Sequence, residues 1–192
     1  MAPKIKISRE HIIEKSVELV RLGGEDALNA RSIAQALGCS TQPLFSNFES
    51  MEQLQSEVIS AAYKIYLDFI KKEVERGRYP TYKAYGRAYV GFAEEERELF
   101  KLLFMRDRSG EDKSPSPDFC ESVKMISEAN GIDEENAMLV HLEMWSCVHG
   151  IATMIATSFL ELDEELISRI LSDVYLGVRA RYISGEEKNG RD

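Results

Sequence analysis

The stretch ARSIAQALGCSTQPLFSNF, residues 30–48, carries the reading of this chain. Two short apolar-periodic runs, 31–37 and 41–48, stand on either side of Gly38, Cys39 and Ser40, and the second run contains Pro43. A proline is costly inside a helix but tolerable in the first turn, where the N–H it lacks has no helical acceptor anyway. With Ser40 as N-cap, Pro43 falls at N3, so a helix is expected to begin at the turn. Two short helices joined by a brief turn with a glycine are the helix-turn-helix arrangement. In it the first helix buttresses, and the start of the second meets base edges in the major groove. Thr41, Gln42, Ser46 and Asn47 then supply short donors and acceptors on the exposed side; Gln and Asn suit adenine, and Thr offers thymine a hydroxyl or a methyl. Ile33, Ala34, Leu37, Leu44 and Phe48 are expected to share a small core with Ile13 and Val17. The alternative on pattern alone is a plain helical hairpin with a solvated polar side.

Working outward, Ser8 opens a helical pattern through Ile12, Ile13, Val17 and Val20 that Gly23 and Gly24 close. Asn29 is placed to cap the next run and Gly38 to end it. Beyond Ser50 a long helix is expected to about Gly77, with Leu54, Val58, Ala62, Ile65 and Phe69 on one face. Residues 81–107 read as one or two helices, kinked near the acidic cluster at 94–96, and 109–117 as a loop rich in Gly, Ser and Pro. A shorter helix ends at Asn130 and Gly131. Two long helices finish the chain. Met138, Leu142, Trp145, Val148, Ala152, Ile155 and Phe159 step along the first, and Ile167, Leu171, Val174, Val178 and Tyr182 along the second. No segment alternates with period two, so the expected fold class is all-α with about nine helices. The expected division is a DNA-binding domain at 1–50, a helical ligand-binding and dimerisation domain at 51–184, and a frayed tail at 185–192.

The composition, 44% hydrophobic and 30% charged over 192 residues, is that of a folded globular chain rather than a disordered one. The net charge of −9 is not spread evenly. Residues 1–50 hold six basic and six acidic side chains, so the acidity lies beyond residue 50 and leaves the N-terminal part free to approach DNA. The three cysteines, Cys39, Cys120 and Cys147, offer neither a disulfide framework nor a CxxC knuckle. The apolar runs break before the ~20 residues of a membrane span, and the first residues show no apolar signal segment. The expected compartment is the cytoplasm, with no membrane partner.

The motifs also carry a resemblance. SREHIIE at the first helix, RSIAQALGCS, and LFSNFESMEQL, in that order, resemble the N-terminal domain of the TetR family of bacterial transcriptional regulators. WSCVHG, from Trp145 to Gly150, is similar to the tryptophan-histidine-glycine signature of one class of TetR C-terminal domains. The resemblance implies a homodimer that reads a palindromic operator, a small-molecule pocket in the C-terminal body, and an interface built from the last two helices. It extends the expected DNA-facing set to Lys6, Asn29, Arg31, Ser40, Thr41, Gln42, Pro43, Phe45, Ser46 and Asn47. Two positions depart from the family pattern, Phe45 for a tyrosine and Met51 for a lysine. Both losses weaken phosphate contact, and Lys4, Lys6 and Arg9 are the candidates to compensate.

The expected effector residues are Tyr66, Tyr89, Phe100, Phe104, Met105, Trp145 and His149, with Tyr85 nearby in sequence: large apolar or amphipathic rings that suit an apolar pocket with few polar groups. For each alone, core packing is the plainer role. His141, Glu143, Cys147 and His149 do not assemble on one helix face and form no HExxH or CxxC, so no metal and no cofactor are expected. Cys39 is better suited to a small buried apolar role than to a thiol switch. No phosphate loop, nucleophile elbow or triad pattern is present, so no enzyme activity is expected. The competing classes are a helical protein-interaction module and a helical-bundle enzyme using His141 or His149.

Overall fold

The computed structural model describes residues 7–111 and 114–183; Lys4, Lys6 and the tail at 185–192 lie outside them. Among the described residues the elements are α1 (Arg9–Gly23), a 3-10 turn (Glu25–Ala27), α2 (Ala30–Ala36), α3 (Gln42–Asn47), α4 (Met51–Glu75), α5 (Thr81–Glu95), α6 (Arg97–Phe104), α7 (Pro117–Asn130), α8 (Glu134–Ala156) and α9 (Glu164–Ile183). The fold is all-α, with no strand among these residues. It divides into two compact units. Of the described residues, one comprises those up to 68 together with 95–107, the other 69–94 and those from 108 onward, so α4 contributes to both and α6 belongs with the N-terminal helices.

In the first unit the helix ends follow local chemistry. Ser8 caps α1 by accepting from the His11 N–H, and Asn29 caps α2 by accepting from the Ser32 N–H. Gly24 and Gly38 take positive φ of 69° and 64°, which lets the chain leave α1 and α2 sharply. One expectation shifts by a residue: Thr41, not Ser40, is the N-cap of α3 and Pro43 sits at its second position. Cys39 N–H still bonds to the Ala34 carbonyl, so the turn after α2 consumes Ser40, while the Thr41 carbonyl accepts from Leu44 and Phe45. Ile12, Val17, Val20, Leu28, Ile33, Ala34, Leu44, Phe48, Leu54 and Val58 are buried. Ile12 takes the fully buried place expected of Ile13, and the buried stripe of α4 runs Leu54, Val58, Ala62, Tyr66, Ile70 instead of drifting to Ile65 and Phe69. A step of four favours the side chains that meet one straight groove. α6 packs on α1, burying Leu99, Phe100, Leu102 and Leu103.

The expected kink lies at Glu96, whose φ of −121° and ψ of 50° separate α5 from α6. In the second unit α8 packs between α7 and α9 and buries Ala137, Val140, Met144, Val148, Ile151, Ala152 and Ile155. Among the described residues α8 is the one helix long and apolar enough to cross a membrane, by length and composition only. Met138, Leu142 and Trp145, expected on the packed stripe, are exposed instead.

Candidate nucleic-acid interface and sensor site

The turn from α2 to α3 presents a short polar surface. Ser40, Thr41, Gln42 and Phe45 are exposed, as are Asn29 and Arg31 at the start of α2. Pro43 is half-buried. Leu44 and Phe48 hold α3 down from the other side, 1% and 3% exposed. Gln42 makes no hydrogen bond through its side chain among the described residues, and its amide faces solvent. Ser46 is exposed, but its hydroxyl donates to the Gln42 carbonyl at 2.9 Å. Asn47, expected on the exposed side, turns inward: its amide donates to the Pro43 carbonyl at 2.7 Å and reaches the Ile7 carbonyl at 3.5 Å. Asn47 therefore stabilises the end of the short helix.

Arg9 occupies a place that the sequence pattern does not disclose. Its guanidinium donates to the Asn47 carbonyl, pairs with Glu57 at 2.8 Å and lies 4.2 Å from the centre of the Phe48 ring. One side chain thus joins α1, the end of α3 and α4. Arg21 makes a second long-range tie, a two-point pair with Glu96 at 2.7 and 2.8 Å. Both partners lie in the first unit, at the end of α1 and the start of α6.

The candidate effector residues fall in two groups. Tyr66, Phe100, Phe104 and Met105 belong to the first unit and Tyr89, Trp145 and His149 to the second. Tyr66 meets Phe104 edge-on at 5.3 Å, and Phe100 lies 5.3 Å from the same ring. Met105 is exposed. In the second unit the Tyr89 hydroxyl lies 2.9 Å from His149 Nδ1, and Trp145 stacks on the same imidazole at 5.6 Å. Burial pushes Tyr89 up, partly offset by a hydrogen bond with Trp145 and by Arg108, and burial pushes His149 down. Both groups are held uncharged near neutral pH. A parallel pair stands further along the helices: Tyr82 lies 3.0 Å from His141 Nδ1, with Phe119 edge-on to the ring at 4.7 Å. Burial lowers His141, against a smaller opposing effect of Asp118. These two tyrosine–histidine pairs, seven and eight residues apart on their helices, line α5 against α8 with neutral hydrogen-bonding groups.

The chain is similar to known proteins. Residues 82–173 match the family described as Tetracyclin repressor-like, C-terminal domain. The chain is 23% identical over 169 residues to the uncharacterised HTH-type transcriptional regulator Rv0681 of Mycobacterium tuberculosis, covering 84% of this chain and 76% of that one. It is 20% identical over 173 residues to the uncharacterised HTH-type transcriptional regulator YobS of Bacillus subtilis, covering 88% and 90%. Among solved structures, a glutamine-to-alanine variant of TetR from Acinetobacter baumannii AYE in complex with minocycline shares the fold. The TM-score is 0.54 at 16% identity, over 97% of this chain and all of that one.

Proposed function

We propose that this chain is a cytoplasmic TetR-like transcriptional regulator, acting as a repressor that binds a palindromic operator as a homodimer and leaves it when a small molecule binds the C-terminal body. The carrying observation is the α2–α3 turn, whose Thr41, Gln42 and Phe45 are exposed over a helix anchored by Leu44 and Phe48. Two relatives bearing the name of HTH-type regulators support the same reading. So does the minocycline complex of a fold neighbour for the small-molecule step.

The WSCVHG segment supports assignment to the tryptophan-histidine-glycine class, with Trp145 and His149 placed to act together through Tyr89. The homodimer is supported by an apolar face on the last two helices: Met138, Leu139, Leu142 and Trp145 on α8 and Leu166, Leu176 and Ile183 on α9 are all exposed. Gly177 on α9 has open space where a Cβ would stand, so no neighbour among the described residues requires it. A close partner helix would. Phe45, 53% exposed, offers an apolar edge to a sugar or thymine methyl where a hydroxyl would have met phosphate.

Selection of duplexes from a random pool by the purified protein at physiological salt tests the reading. Recovery of a palindrome with half-sites about one helical turn of ~34 Å apart is expected. A folded protein that enriches no sequence would overturn it in favour of an interaction module.

A further inference from the structure

Arg87 on α5 is a buried cation without an adequate anion. Its side chain is 12% exposed, and its Nε and Nη1 are buried with no hydrogen-bond partner. The one ion-pair contact it makes among the described residues is Nη2 to a Glu164 carboxylate oxygen at 3.4 Å, beyond the usual range of an N–H···O bond. The same oxygen is shared with Arg78 at 3.5 Å, and Glu164 is 57% exposed. A guanidinium presents five donors in a fixed fork that suits a two-oxygen acceptor. Here most of that fork is unanswered, which is a costly state for a buried charge.

Glu164 also borders a shallow, open depression of about 520 Å³, lined by Tyr79, Glu165, Ser168, Arg169 and Ser172 besides Glu164 itself. Lys83 reaches its lining: its ammonium donates to the Ser172 hydroxyl at 2.8 Å and lies 4.7 Å from the centre of the Tyr79 ring. Arg78 and Arg87 share the one Glu164 oxygen and Lys83 is held by Ser172, while Arg169, paired with Asp173 at 3.6 Å, lines the depression with Glu165 and the hydroxyl groups of Tyr79, Ser168 and Ser172. At the start of α9 the Asp163 carboxylate accepts from the Leu166 N–H at 2.7 Å.

The geometry points to an oxyanion site at this depression: a carboxylate or phosphate group of a small molecule displaces Glu164, pairs with Arg87 and Arg78, and takes as a further donor Lys83, which Ser172 holds in place while giving its own proton to the Ser168 carbonyl. Glu164 holds the place of the anion in the free protein. It is exposed enough to swing out without disturbing the packed face of α9. The site is separate from the Tyr89–His149 pair, which carries no charge and suits a different ligand.

The test is thermal unfolding of the full chain with sodium phosphate, and separately sodium acetate, each against sodium chloride at equal ionic strength. A saturable rise in Tm with one or both oxyanions is expected. Phosphate alone marks a phosphorylated ligand, and an equal response to acetate marks a carboxylate. Glu164→Gln removes the competing carboxylate and is expected to tighten binding about two- to fivefold, as fits a half-exposed ion pair. Arg87→Met is expected to raise Tm without added anion, because it replaces a poorly paired buried charge by an apolar chain of similar length, and to abolish the oxyanion response. Should Arg87→Met fail to fold, Lys83→Met serves, with a weakened response expected. No oxyanion-specific rise in Glu164→Gln overturns the site. An undiminished rise in Arg87→Met or Lys83→Met does so too, since the anion then binds elsewhere.

Discussion

Replacing Arg9 with Met separates two roles that an arginine beside a DNA-reading head can play. The side chain makes three contacts: an ion pair with Glu57, a cation–ring contact with Phe48, and a donated hydrogen bond to the Asn47 carbonyl. Both members of the pair are a third or more exposed, with side-chain exposures of 33% and 42%, so the pair contributes about 0.2–1 kcal/mol. The ring contact contributes about 0.5–1 kcal/mol. The hydrogen bond from a charged donor contributes about 1.5 kcal/mol, at the low end for its kind because it is partly solvated. Met retains some packing over Phe48 and the three contacts share one group, so the expected loss is about 2 kcal/mol rather than their total. Denaturant unfolding followed by circular dichroism reads that loss. Titration of a selected operator at several salt concentrations reads the second half. If Arg9 positions α3, affinity falls at every salt concentration while the slope of log K against log salt stays unchanged. If Arg9 instead neutralises a phosphate, the slope drops by about 0.9 and stability hardly moves. That second pattern would refute the clamp.

Replacing Gln42 by Ala is expected to cost about 1–3 kcal/mol at one base pair of the operator and to relax selectivity there, read by binding to single-substituted duplexes; equal loss on all sequences would assign Gln42 to the backbone. Burial depresses both His141 and His149 from an ordinary value of 6.5, so below that pH the unfolded chain takes up protons that the folded chain refuses. Stability is therefore expected to be level above about pH 7.5 and to fall as pH drops through 6.5, and a His141→Gln, His149→Gln double variant should flatten that fall in urea midpoints measured from pH 8 to 5. A glutamate in place of Leu142, 38% exposed on α8, should leave the monomer folded and break the proposed dimer, because it would put a charge into the apolar contact proposed there. Sedimentation equilibrium checks this, and an unchanged mass would place the interface elsewhere.

What the sequence discloses here is what local chemistry controls. Ser8 and Asn29 announce the starts of α1 and α2 because a cap needs only a side-chain oxygen three residues before an unpaired N–H. Gly131, in the left-handed region with φ of 65°, announces the end of α7. Arg9 with Glu57, Arg21 with Glu96 and Tyr89 with His149 are separated by 48, 75 and 60 positions, and no periodicity encodes such a meeting. The candidate effector rings were legible as large apolar groups, but not their division between the two units.

The exposed Met138, Leu142 and Trp145 have a different cause. An amphipathic helix has one apolar stripe, so its pattern names its inward face. α8 is apolar on more than one side. A stripe through Met138, Leu142 and Trp145 fits the helical period as well as one through Ala137, Val140, Met144 and Val148, and only α7 and α9 decide between them. On α9, Leu176 is exposed as well, and its neighbour Gly177, which costs a helix about 1 kcal/mol relative to alanine, meets nothing within 4 Å of where a Cβ would stand among the described residues. On the proposed reading, α8 meets two interfaces at once: α7 and α9 of its own chain on one side, and a second copy on the other. Its sequence pattern could not favour either face because both are buried in the assembly.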